Sequence, residues 1–103
     1  MKYLVVSIET KAGDHSQEDV KLAKCVKGQN PDHVCDAVAK AQFGGYWDEW
    51  CSGFNTDCYL WHNNAGFKEI TRKEFNVLSK YVDVHMFTNK ELKEVQNEMK
   101  ESE

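Results

Sequence analysis

Near its start the chain alternates: Leu4, Val6 and Ile8 point one way, while Tyr3, Val5, Ser7 and Glu9 point the other. A period of two with one wholly apolar side specifies a strand that packs on a core, and so commits the fold to a sheet. Twenty residues on, a second signal demands a helix. Asn30-Pro31-Asp32 places Asn at the N-cap, Pro at the first helical position and an acid in the first turn. Val34, Val38 and Ala41 follow at helical spacing, and Gly44-Gly45 ends the run.

Two capping boxes mark later helices. Thr71-Arg72-Lys73-Glu74 leads into Phe75, Leu78 and Tyr81, and Thr88-Asn89-Lys90-Glu91 leads into Leu92, Val95 and Met99. The second predicts a terminal helix over 89–103 with frayed last residues, docked on the domain by its apolar edge. Between the boxes, Val82, Val84 and Met86 alternate with Asp83, His85 and Phe87, a strand pattern. Cys58–His62 and Phe67–Ile70, flanking Asn63-Asn64-Ala65-Gly66, read as a hairpin with a four-residue turn. Lys11 to Gln17 reads as a loop around Gly13-Asp14.

Residues 16–28 fit two periods. As a helix, Ser16 caps, Gly28 closes, and Lys21, Lys24 and Lys27 share a face opposite Leu22, Ala23, Cys25 and Val26. As a strand, Val20, Leu22 and Val26 line one side, with Lys24 misplaced among them. The helix fits slightly better. The sum is a single α+β domain over 1–103, a small antiparallel or mixed β-sheet with two to four helices packed mainly on one face.

With 103 residues there is room for one core and little elaboration. The net charge is -4, and it is unevenly placed. Residues 31–66 hold only Lys40 against Asp32, Asp36, Asp48, Glu49 and Asp57, while the flanking regions are nearly balanced. The same third carries all three Trp and seven of the twelve aromatic residues: Phe43, Tyr46, Trp47, Trp50, Phe54, Tyr59 and Trp61. Tyr46-Trp47-Asp48-Glu49-Trp50 is the densest stretch. If 46–51 is a helix, Phe43, Trp47, Trp50, Cys51 and Phe54 form one apolar stripe and are simply core. If it is a strand, each face takes two apolar residues and one acid, leaving an aromatic face partly open to water.

Large aromatic side chains beside carboxylates suit the centre of an interface with a basic partner. The candidate partner-binding residues are Tyr46, Trp47, Asp48, Glu49, Trp50, Asp57 and Trp61. The expected function is non-enzymatic and stoichiometric: a protein partner with a basic surface, of the kind that holds nucleic acid, is covered and inhibited. Phage counter-defence proteins of the anti-CRISPR type share this size and lack of motif, a likeness of general type with no residue match. A second copy of the chain would also cover exposed aromatics.

Other chemistry finds less support. Cys51, Cys58 and His62, with Cys35 or His33, are the best local metal candidates, but no Cys-x-x-Cys pair exists and buried thiols explain them more simply. No catalytic or cofactor motif is present, so no cofactor is expected. Nucleic-acid or nucleotide binding through the lysines at 21, 24 and 27, or through Lys68 to Lys73, is the alternative function; acids neighbour both sets. The apolar start at Leu4 stops at Glu9, too short for a signal peptide, and no stretch is long enough to span a bilayer. A cytoplasmic protein with four free thiols is expected.

Overall fold

The computed structural model describes residues 1–57 and 60–101, with the side chains of Phe43 and Asp57 outside the described set. The chain runs β1 (Lys2–Ala12), β2 (His15–Cys25), α1 (Pro31–Phe43), β3 (Tyr46–Asp48), β4 (Gly53–Asp57), β5 (Leu60–Ile70), α2 (Arg72–Leu78), β6 (Val84–Met86) and α3 (Asn89–Glu101). Six strands form one sheet in the order β3-β4-β5-β1-β2-β6. All neighbours are antiparallel except β2 and β6, which are parallel, so the fold is α+β with a mixed sheet and three helices.

The alternation read in β1 decides the layers. Leu4, Val6 and Ile8 are fully buried and meet Ala23 and Cys25 of β2, Phe54 of β4, Val34, Cys35 and Val38 of α1, and Leu92 of α3 in one core. Each buried aliphatic side chain of this size contributes about 1.5–3 kcal/mol relative to exposure. Val95 and Met99 of α3 pack on the same core, whereas Ala41 of α1 is exposed. The opposite face carries a separate, smaller contact. Tyr3 packs at a tilt against Phe75, the buried residue of α2, with ring centroids 4.9 Å apart, and Lys24 lies 5.9 Å from the same ring. Leu78 and Tyr81, expected on that apolar edge with Phe75, are exposed.

Capping follows the sequence. The Asn30 side chain accepts from Asp32 N–H, and both Thr boxes close reciprocally through Glu74 and Glu91. Those bonds hold both carboxyls below their ordinary range, the backbone N–H bond being the larger cause.

Three expectations are overturned. Residues 16–28 are not a helix: His15–Cys25 is a strand paired with β1 along its whole length. Its period was hidden because both faces are buried near its end. Ala23 and Cys25 face the main core, while Leu22, opposite Val5, is fully buried on the other side. At the other end Ser16, Gln17 and Glu18 are exposed on both sides. The supposed loop from Lys11 to Gln17 shrinks to the turn Gly13-Asp14, with Gly13 at φ 60, between fully paired strands.

The expected hairpin around Asn63–Gly66 is instead one strand, β5. Two steps of β1 (Val6 to Ile8) span three steps of β5 (Phe67 to Asn64), which is a bulge of one residue. Gly66, at φ 107, and the Asn64 Oδ1 acceptor for Gly66 N–H at 2.7 Å serve this bulge rather than a turn. The expected start of that hairpin at Cys58 lies outside the described residues, as do Tyr59 and the last two residues of the predicted terminal helix.

Candidate functional interface

Strand register sorts the central aromatics. Trp47, Phe54, His62, Thr10 and Gln17 form one row across five strands on the helix side of the sheet. Tyr46, Asn55, Trp61, Lys11 and Ser16 form the next row, on the outer side. Successive residues therefore part company. Trp47 packs edge-on against Phe54 at 5.2 Å and is half-buried, whereas Tyr46 is 80% exposed. The helical stripe joining Trp47, Trp50, Cys51 and Phe54 does not form. Gly44 and Gly45, both at positive φ, end α1, and the chain enters the β3–β4 hairpin instead.

The tip of that hairpin, residues 49–52, carries Trp50 at 93% exposure. Its conformation is built by the carboxylates. Asp48 Oδ1 accepts the Trp50 backbone N–H at 3.0 Å, and Asp48 Oδ2 accepts Trp61 Nε1–H at 3.3 Å. Glu49 Oε2 accepts Trp47 Nε1–H at 2.8 Å. Ser52 completes the turn at φ 52. The indoles of Trp47 and Trp61 are thus each tied to an acid, and both acids are aimed by an indole or amide. Charge-assisted bonds of this kind are shorter and stronger than neutral ones.

The result is an open recess of about 680 Å³ lined by Tyr46, Trp47, Asp48, Glu49, Trp50 and Asn55. Five of the seven residues predicted for partner binding line it. Trp61 supports it from β5 through Asp48. Asp57 pairs through its backbone with Leu60 at the end of β4, and its side chain is outside the described set. Asn55 was not singled out, and nothing in its sequence context marks it. In the sequence Lys40 is only a lone base among acids. Its ammonium donates to the Gly45 carbonyl and to Glu98 at 3.0 Å, and lies 5.8 Å from the Tyr46 ring centroid. The thiol of Cys51, at the tip, is pushed up by desolvation and then by Asp48.

A smaller recess of about 270 Å³ lies among Thr10, Gln17, Asp19, Thr56, Leu60 and His62. His62 is 2% exposed, with Thr10 Oγ1 2.9 Å from Nδ1 and Thr56 Oγ1 3.1 Å from Nε2. Thr56 is the extra residue of a bulge opposite β5, which turns its hydroxyl toward the ring. Burial lowers the His62 pKa, Asp19 opposing, so the ring is held neutral between two hydroxyls.

Among the described residues no three His, Cys, Asp or Glu side chains converge as metal ligands would. Cys58, one of the metal candidates, lies outside the described residues. Cys35 is buried in α1, where desolvation first, then Asp32 and Asp36, push its thiol up to about 12. Because β2 is a strand, Lys21 and Lys24 point to opposite faces. Lys21 pairs with Asp83 at 3.3 Å, and Lys24 sits over Phe75. The lysine face expected of a helix is dispersed. Among the described residues no helix is long and apolar enough to cross a membrane. No family model, curated protein or solved structure matches the chain.

Proposed function

We propose that this protein acts without catalysis, by stoichiometric contact with another protein, and that the Tyr46–Trp50 hairpin meets a basic surface of that partner. The observation that carries the reading is the pairing of opposites at one hairpin. Trp50 and Tyr46 are almost wholly exposed, and Asp48 and Glu49 stand beside them in one recess. Exposing a Trp and a Tyr forgoes the burial free energy that large aromatic side chains supply, and buried aromatics of this kind dominate interface energetics. The carboxylates favour a cationic partner and repel phosphate. A protein surface that ordinarily holds nucleic acid offers such a cationic field, and covering it would inhibit that partner, as phage counter-defence proteins do. A cytoplasmic setting is part of this reading, in keeping with free thiols at Cys25, Cys35 and Cys51.

The test is affinity capture from the native host with the wild-type chain and with Asp48→Lys/Glu49→Lys. The main partner should be retained by the first and lost by the second. Equal retention by both would overturn the reading. So would salt-sensitive binding to bare DNA or RNA that Trp50→Ala leaves undiminished. A dimer in sedimentation velocity that Trp50→Ala dissociates would put a second copy in the partner's place.

A further inference from the structure

Resting on that reading, we infer that the recess formed by Tyr46, Trp47, Asp48, Glu49, Trp50 and Asn55 receives an arginine side chain of the partner. The lining combines exposed ring surface with aimed carboxylates, and a guanidinium satisfies both at once. It is planar and weakly hydrated, so it stacks on an aromatic face, and its fork of N–H donors pairs with a carboxylate edge-on. An ammonium, though drawn to ring and charge alike, has neither the flat face nor the fork.

Three features of the hairpin fit this occupant. First, the carboxylates keep acceptor capacity toward solvent. Among the described residues no donor reaches Glu49 Oε1, while Oε2 is steadied by the Trp47 indole. A carboxylate oxygen accepts along two lone-pair directions, so Asp48 also retains room after its bonds to Trp50 N–H and Trp61 Nε1–H. Second, cation attraction to a ring of this hairpin already occurs within the chain. Lys40 Nζ lies 5.8 Å from the centroid of Tyr46 and is tethered there by Glu98. Third, the recess is open and wide at about 680 Å³, a shape that admits a side chain from a flat protein surface without enclosing a free small molecule. Lys11, in the outer row, is paired with Glu9 at 3.3 Å.

The test uses the full chain and three blocked peptides of equal length, tetra-arginine, tetra-lysine and tetra-citrulline, titrated by calorimetry at low salt. The arginine peptide should bind at least about five-fold more tightly than the lysine peptide, and the citrulline peptide should not bind. Trp50→Ala and Glu49→Gln should each weaken the arginine peptide about five-fold or more, and Trp50→Phe should keep most of the affinity. Both side chains are exposed, so these variants fold, which circular dichroism verifies. Equal affinity for arginine and lysine peptides, or arginine binding indifferent to Trp50→Ala, overturns the inference. Those results leave the docking role itself standing, because that role is tested separately, by partner capture with the charge-reversed chain and by binding to bare nucleic acid.

Discussion

Gly45 is the position on which the candidate interface hangs, and Gly45→Ala measures how much. The residue has φ 88, and a Cβ placed there would lie 2.4 Å from the Asn55 carbonyl oxygen and 2.8 Å from its carbon. Thr56 Cγ2 would be 3.0 Å away. Two costs follow. The left-handed backbone costs an L-residue about 1–2 kcal/mol. The clash is with backbone of the neighbouring strand, which cannot rotate aside, so β3 must move off β4 at a further cost of about 1–3 kcal/mol. Gly44 separates the two. It too has positive φ, at 72, yet a Cβ there meets nothing within 4 Å. Gly44→Ala should therefore cost only the backbone part, and Gly45→Ala about 2–5 kcal/mol in total, a large fraction of the roughly 5–15 kcal/mol that holds a domain together. The assay is urea unfolding followed by tryptophan fluorescence. With a slope of about 1.5 kcal/mol per molar, the Gly45→Ala midpoint should fall about 1–2 M further than that of Gly44→Ala. Equal midpoints for the two variants would refute the close approach of Gly45 to Asn55, and with it the placement of β3 at the sheet edge.

Other perturbations probe separate parts of the molecule. Phe54→Ala, which removes a 1%-exposed ring and the edge contact of Trp47, should cost about 3–5 kcal/mol in the same assay, whereas Trp50→Ala should change stability by less than about 0.5 kcal/mol. His62 is held neutral, its folded pKa below the 6.5 of an ordinary imidazole, so the unfolded chain takes up the proton first as pH falls. The stability it supports is whole above about pH 6.5 and lost as pH drops through the lower folded value. Thermal midpoints from pH 7.5 to 5 should show this arm, flattened in His62→Gln; His85, lowered for the same main reason, keeps it from vanishing. Brief iodoacetamide labelling at pH 8, read by mass spectrometry, should modify Cys51 before Cys25 and Cys35, because the latter two are buried and the Cys35 thiol is pushed up to about 12. Rapid labelling of Cys35 in the folded protein would contradict its place in the core.

Local chemistry was legible where one short segment contains its own reason. Asn30-Pro31, Thr71 with Glu74, and Thr88 with Glu91 bring donor and acceptor together within four residues, so α1, α2 and α3 begin where their caps predict. The strand β1 was equally plain, since only one of its faces enters the main core. Legibility failed where two faces are buried by different elements. Leu22 is covered on one side of the sheet while Ala23 and Cys25 are buried on the other, and their succession imitates a helix. Asn64 and Gly66 spell a turn, but strand β1 continues past them, and the same residues become a bulge.

By itself, then, the sequence determined the helix starts, the core strand and the concentration of acidic and aromatic residues between 31 and 66. Only the tertiary structure decided which of those aromatics face outward. That choice rests on pairing: Trp47 lies opposite Phe54 and turns toward the helices, Tyr46 lies opposite Asn55 and turns away, and Trp50 falls in the turn beyond both. A slip of one residue in register would exchange the two faces. Register is set by contacts between strands distant in sequence, so no local pattern could contain it.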